Sequence, residues 1–398
     1  MRLLLITNLY PPQELGGYGR CMADFCWGLM RRGHQLQVLC NDASYLGYAS
    51  EKGPSGEPVA RELLLKGDFS NGVQLMQNTS KQHTVDQHNQ SAILRWLENE
   101  SWDGILLGNL DLLGVELLHW LVSQTLPILH HIGFVHSPYE IRQQPKSENY
   151  HLLAASHAVK SRLIKEGICA SDAPIVYPGA RTDLFGPGAI PRALPNHPYR
   201  TKGKPLHICF AGLLMNSKAP HTLLEAIAQL NDLGYPIRAS LAGGPFQKSY
   251  VEAMNSFCVA RKIDGIITFY KQLTRDQLAR FFRLHHAAVF TSTHPEAFGI
   301  VAVEAMASGL ALLSSGVGGA SEVFEDGKSG LHFEAGNAQA LAQQIKRLFD
   351  EPGLLRALQE NALERARNRF DVQHSAQQLE SLLSDLNDDN HQSSIQHF

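Results

Sequence analysis

Thirty residues, Thr293 to Glu322 (THPEAFGIVAVEAMASGLALLSSGVGGASE), limit the possible folds of this chain more than any other stretch. The apolar run Ala287-Ala288-Val289-Phe290 ahead of them reads as a buried strand, and a Pro-led loop then carries Glu296. A helical pattern opens at Gly299 and stops at Ser308-Gly309, where glycine suits a helix C-terminus; a second buried strand and a glycine turn follow. Strand, loop, helix, strand is the repeating unit of an α/β sheet. The first amides of such a helix have no intrahelical partner and lie at the positive end of its dipole. The turn Ala297-Phe298-Gly299-Ile300 therefore suits an anionic or hydroxyl-rich ligand.

Two carboxylates, Glu296 and Glu304, frame the turn with seven residues between them. Each can accept two hydroxyl hydrogen bonds, so the pair can hold two polyols such as a sugar ring and a ribose. Glutamates at a fixed spacing are common, and taken alone they read as a solvated loop residue and a surface helix residue. Glu304, however, is embedded in Ile300, Val301, Ala302, Val303, Ala305, Met306 and Ala307. A charge in such an apolar helix needs a partner.

At these residues the sequence resembles the retaining nucleotide-sugar glycosyltransferases of glycosyltransferase family 4. Their signature is a Pro-Ser-x-x-Glu-x-Phe-Gly loop, E-x7-E, then Glu-Ala-Met-Ala-x-Gly and a Gly-Gly-x-x-Glu turn. The resemblance implies that Glu296 holds sugar hydroxyls, that Glu304 holds ribose hydroxyls, and that the amides after Phe298-Gly299 face the donor.

The 398 residues are 44% hydrophobic, enough for two cores, and strand-like and helix-like runs alternate along them. With 35 Lys plus Arg against 38 Asp plus Glu, the formal charge of −3 offers no electrostatic reason for a nucleic-acid partner. The six cysteines form no C-x-x-C pair and fall mostly in apolar patterns, as free thiols of a reducing cytoplasm do. Leu3 to Ile6 is too short for a signal-peptide core or a membrane span, although the amphipathic stretch Leu112 to Leu129 leaves peripheral membrane contact open.

In chain order, Leu3 to Ile6, a Pro11-Pro12 loop with Gly16-Gly17, a helix over Arg20 to Arg31 and Gln35 to Leu39 form a β-loop-α-β unit. The spacing is wrong for G-x-G-x-x-G, so a dinucleotide cofactor is disfavoured, while Gly16-Gly17 still suits phosphate. The resemblance sets these two glycines against the donor diphosphate. Residues 44–82 read as loops around one short strand or helix, and a helix is expected over Val85 to Glu98. His136 follows the strand Ile128 to Ile132, at the end of an α/β strand where ligands collect. A His130-His131-x4-His136 metal site is a poor alternative, because successive strand residues face opposite sides. The resemblance puts His136 near the sugar and phosphate.

Prolines cluster between Pro178 and Pro205, and a second α/β series begins at Leu206. Its first loop, Gly212 to Lys218, and the Gly243-Gly244 strand end are donor-side candidates. The family pattern Gly-Arg-Leu-x-x-x-Lys-Gly has an arginine where this chain has Leu213, which removes a bidentate phosphate clamp; Arg20 is a candidate replacement.

The expected fold is α/β GT-B, two Rossmann-like domains with parallel sheets facing a cleft. Expected boundaries are 1–180 for the acceptor-side domain, 181–205 for a linker and 206–370 for the donor-binding domain. Residues 371–387 are expected to form a helix returning to the first domain, with a disordered tail over 388–398. His136, Lys218 and Glu296 are the expected catalytic residues. Gly16, Gly17, Gly212, Lys218, Gly243, Ala297, Phe298, Gly299, Ile300 and Glu304 join Glu296 at the donor, with no metal and no cofactor. The expected activity is metal-independent retaining transfer from a nucleotide diphosphate sugar to a glycan, lipid or small molecule. A nucleotide-sugar epimerase and a degenerate nucleotide-sugar-binding protein are the alternatives.

Overall fold

The computed structural model describes residues 1–70, 72–186, 205–244 and 247–395, with side chains to residue 388. The chain divides into two units, Met1–Pro178 with Val372–Phe398, and Gly179–Asp371.

The first unit opens with β1 (Arg2–Ile6), α1 (Tyr18–Arg31), β2 (Gln35–Asn41) and β3 (Val59–Leu63), followed by a two-stranded ribbon of β4 (Gly67–Asp68) and β5 (Gln74–Leu75). It continues through α2 (Thr79–Asn99), β6 (Gly104–Leu107), α3 (Val115–Val122), β7 (Ile128–Ile132), β8 (Tyr150–Ala154) and α4 (His157–Lys165). The main sheet is parallel, in the order β3-β2-β1-β6-β7-β8. Central strands of a parallel sheet are covered on both faces, which is why β1 and β6 read as unbroken Leu/Ile runs.

Two expectations for this unit change. Residues 44–82, expected as loops around one short element, contain β3 and the ribbon. Buried Lys66 pins the ribbon to the helices through Asp86 (2.8 Å) and Glu116 (2.7 Å). The following helix begins at Thr79, six residues earlier than the apolar pattern indicated, because the Asn78 side chain accepts the Lys81 amide (3.0 Å) and caps a polar first turn.

The second unit contains α5 (Thr182–Phe185), β9 (Leu206–Ala211), α6 (Pro220–Asp232), β10 (Ile237–Ala242), α7 (Lys248–Ala260), β11 (Ile267–Tyr270), α8 (Arg275–Phe282), β12 (Ala287–Phe290), α9 (Ile300–Ala307) and β13 (Ala311–Ser314). It ends with β14 (Leu331–His332), α10 (Ala338–Asp350) and α11 (Leu354–Phe370). Its parallel sheet runs β11-β10-β9-β12-β13-β14, the same topology as the first. One core packs Ile208 and Leu241 of the sheet against Leu223, Leu224 and Ile227 of α6 and Ile345 and Leu348 of α10. Residues 182–186, expected as linker, instead start this unit: Phe185 is fully buried, its ring 6.2 Å from that of Phe282, and Arg283 donates to the carbonyls of Leu184 and Gly186. Of the rest of the expected linker, residues 187–204 lie outside the described residues.

The last helix, α12 (Val372–Ile395), belongs to the first unit. Val372, Ala376, Leu379 and Leu383 form its buried stripe, and Gly28 of α1 makes room for it, since a Cβ there would lie 2.6 Å from the Ala376 methyl. The expected disordered tail is corrected over 388–395, which is helical. No Pro or Gly interrupts the chain after Val372, and extending a formed helix costs far less than starting one.

Candidate active site

In an open α/β sheet, ligands collect at the carboxyl ends of the strands where the strand order reverses. In the second unit that point lies between β9 and β12, whose pairing is confined to Ile208 with Ala287 and Cys209 with Ala288. The loops leaving these strands are stitched together. The Thr293 amide donates to the Ser217 carbonyl (2.9 Å), and the Thr291 hydroxyl donates to the Lys218 carbonyl (2.6 Å). The stitching brings together two residues 78 positions apart: Lys218 Nζ donates to Glu296 Oε1 at 2.5 Å. Ser292 Oγ donates to the same oxygen.

The Glu296 backbone is held as firmly as its side chain. Its amide donates to the Val317 carbonyl (3.2 Å) and its carbonyl accepts from the Gly319 amide (2.7 Å). Gly318, at φ 65°, must lack a side chain, since a Cβ would fall 2.5 Å from the Glu296 carbonyl oxygen. The Ala297-Phe298-Gly299 turn then leads into α9. Phe298 is buried, its ring 5.4 Å from that of Phe370, and Gly299 precedes the helix at φ 113°. The first intrahelical bond is donated by Ala302 to the Gly299 carbonyl (3.0 Å), which leaves the Ile300 amide ahead of it, at the positive end of α9.

The structure gives Glu304 the partner its apolar helix demanded: Arg275 Nη2 lies 3.3 Å from Glu304 Oε1, and the Glu304 side chain has no exposed surface. The Arg275 guanidinium also lies 5.6 Å from the centre of the Phe185 ring. In this conformation Glu304 is closed off from a ribose, and no local sequence signal marked Arg275, which precedes it by 29 positions. Gly212 and Gly243 pack backbone on backbone, since a Cβ on Gly243 would lie 1.8 Å from the Gly212 carbonyl oxygen. Leu213 is half-buried, while Leu214 supplies the packing side chain of that loop.

In the first unit, Gly16 takes φ 70° and Gly17 caps α1, whose first internal bond is donated by Cys21 to the Gly17 carbonyl (3.0 Å). Arg61 holds the preceding loop through the carbonyls of Tyr10 (3.1 Å) and Pro11 (2.8 Å) and the Gln13 side chain (3.0 Å), a role the sequence did not mark. Arg20 lies 3.2 Å from Glu14. His136 is exposed in the loop after β7, and Glu166 accepts the next amide, that of Ser137 (2.9 Å). Burial pushes Glu166 up, but hydrogen bonds from Arg162 and from that amide outweigh it and hold the carboxyl below its ordinary range.

His130 and His131 do not join His136. His130 Nδ1 meets the Tyr150 hydroxyl (2.6 Å), and His131 Nε2 meets the Val176 carbonyl (2.9 Å). Burial lowers His130 to about 3, assisted by His131, and lowers His131 to about 4. Among the described residues no group of His, Cys, Asp and Glu could hold a metal ion, and no helix is long and apolar enough to cross a membrane.

Comparison with known proteins agrees with this architecture. Residues 197–365 match the family model for glycosyl transferases group 1. A D-inositol 3-phosphate glycosyltransferase of Streptomyces bingchenggensis is 32% identical over 198 residues, covering 48% of this chain and 43% of its own length. The chain spans about half the length of such curated relatives. Among solved structures, a glycosyltransferase from Rickettsia africae superposes over 97% of this chain and 98% of its own, with a TM-score of 0.77 at 17% identity. Anabaena HepE in complex with UDP and glucose superposes over 97% and 100%, with a TM-score of 0.73 at 19% identity. The two parallel-sheet units make this a GT-B fold. Within it, residues 197–365 of the second unit are similar to the group 1 glycosyltransferases.

Proposed function

We propose that this protein transfers a sugar, with retention of configuration and without a metal ion, from a nucleotide diphosphate sugar to a carbohydrate, lipid or small-molecule acceptor. The observation that carries the reading is the Lys218–Glu296 contact beside the start of α9. In this reading the ammonium and the helix amides face the negative charge that gathers on a leaving diphosphate, and the carboxylate beside them accepts sugar hydroxyls. The bond from the anomeric carbon to the phosphate oxygen breaks with its electron pair going to the diphosphate. The acceptor oxygen bonds to the same face, and its proton passes to the departing phosphate oxygen. Glu296 serves as a hydrogen-bond acceptor, not as a covalent nucleophile.

In this reading Glu304 meets the ribose once Arg275 moves aside, Gly16 and Gly17 face phosphate, and His136 contacts the sugar. The names of the relatives favour a glycosyl donor, and the UDP and glucose in HepE make UDP-sugars the first to try. Six free cysteines suit a reducing compartment such as the cytoplasm. The test is incubation with radiolabelled UDP-glucose, UDP-galactose, ADP-glucose and GDP-mannose in the presence of a chelator, with a mixed acceptor pool. Transfer or slow donor hydrolysis that persists under chelation is expected. Epimerised sugar, or binding without turnover, overturns the reading, and loss on chelation with recovery on adding a divalent ion overturns its metal-independent part.

A further inference from the structure

We propose that Ser292 and Ser315 form a buried hydroxyl relay that aims Glu296, so that Oε2 is the carboxylate oxygen presented to the donor sugar. The inference rests on the donor-site reading above, but its geometry stands on its own. Both serines are almost wholly buried, at 2% and 3% exposure, at the ends of β12 and β13. A buried hydroxyl is costly unless bonded, and both of these are bonded in series. Ser315 Oγ donates to the Ser292 carbonyl (2.6 Å), and the Ser315 amide donates to the Phe290 carbonyl (2.9 Å), fixing the backbone from which Ser292 projects. Ser292 Oγ then donates to Glu296 Oε1.

With Lys218 on the same atom, Oε1 has both lone pairs engaged. No described residue donates to Oε2, and the Glu296 side chain keeps 17% of its surface exposed. The two donors are not equivalent. Lys218 is 30% exposed on a flexible stem, and an incoming diphosphate competes for its ammonium. Ser292 is neutral, buried and tied to β13 through Ser315, so it keeps Glu296 aimed when Lys218 turns to the phosphate. Ser292 is therefore a positioning residue for contact with the sugar and not for contact with the nucleotide.

The experiment compares wild type, Ser292→Ala and Ser292→Thr, with melting temperature as the folding control. Each is titrated with UDP-glucose, UDP-galactose, ADP-glucose and GDP-mannose and with the parent nucleoside diphosphates. Ser292→Ala should weaken the bound sugar nucleotide about fivefold to twentyfold, the range for a hydrogen bond to a charged group, and change its parent diphosphate less than about twofold. Ser292→Thr, which keeps the hydroxyl, should recover most of the loss. Equal effects on both ligands, or none on either, overturn the relay.

A crystal structure of unliganded Ser292→Ala gives an independent readout, in which Glu296 should leave its rotamer. An unchanged rotamer overturns the relay whatever binds. If wild type binds none of the four donors, the donor-site reading fails, and the rotamer alone decides whether Ser292 aims Glu296.

Discussion

Acidification should unfold the first unit before the carboxylates have titrated, because two of its strand residues are neutral buried histidines. His130 and His131 are each 1% exposed in β7, and burial lowers them to about 3 and about 4. In the unfolded chain both return to about 6.5. A folded value below the unfolded one means that the unfolded state binds more protons in between. The stability is therefore complete above about pH 6.5 and is lost as pH falls toward the folded values. Between pH 7 and pH 5 each histidine costs about 2 kcal/mol, about 4 kcal/mol together, a large share of a typical domain's stability. All four tryptophans (Trp27, Trp96, Trp102 and Trp120) lie in the first unit, so their fluorescence during urea unfolding follows that unit alone. His130→Asn keeps a polar atom near the Tyr150 hydroxyl and removes one titration, so it should lose only about 2 kcal/mol over the same interval. Glu57, pushed up by burial, contributes with the opposite sign, but equally in both proteins. If wild type and His130→Asn show the same pH dependence, burial of His130 is not its source.

Thr125 is an exposed β-branched residue at φ 66°, and Thr125→Gly should relieve about 1–2 kcal/mol of strain against about 0.5–1 kcal/mol of lost chain entropy, raising the fluorescence melting point by a few degrees. A lower melting point would show that the threonine is unstrained. Leu213→Arg places a guanidinium on a half-buried stem that can reach solvent, and it should tighten nucleoside diphosphate binding up to about tenfold by calorimetry with unchanged melting. A large drop in melting temperature would make Leu213 a packing residue instead. Glu304→Gln should weaken nucleoside diphosphate binding, because a ribose contact does not need the sugar; superimposable titrations would leave Glu304 as a structural partner of Arg275.

Both halves of the fold were legible as strand–helix alternation because parallel strands and their covering helices carry separate apolar periods. Helix ends were less legible where polar residues did the work, as at Asn78, or where a helix outran its apolar stripe, as after Leu383. Within the candidate site, local spacing placed Glu296, Glu304 and Gly299 on one loop and helix, but local spacing cannot name partners that the fold brings from far away. Lys218 was expected for phosphate, and the structure sets it on Glu296. Arg275 was not expected at all, since an arginine in the first turn of an amphipathic helix looks like any solvated side chain. Ser292 and Ser315 escaped for a related reason: a serine beside an apolar strand does not reveal whether its hydroxyl faces water or a carboxylate.

The return of α12 to the first unit sets an order of assembly. The second unit is one continuous segment, Gly179–Asp371, and leaves the ribosome whole. The first must wait, with the face of α1 around Gly28 open to solvent, until residues beyond Val372 have been made. A gene fragment ending at Pro178 therefore encodes an unfinished body with an adhesive apolar groove, whereas a circular permutant that joins the two chain ends and opens the chain between α11 and α12 would make the first unit in one piece.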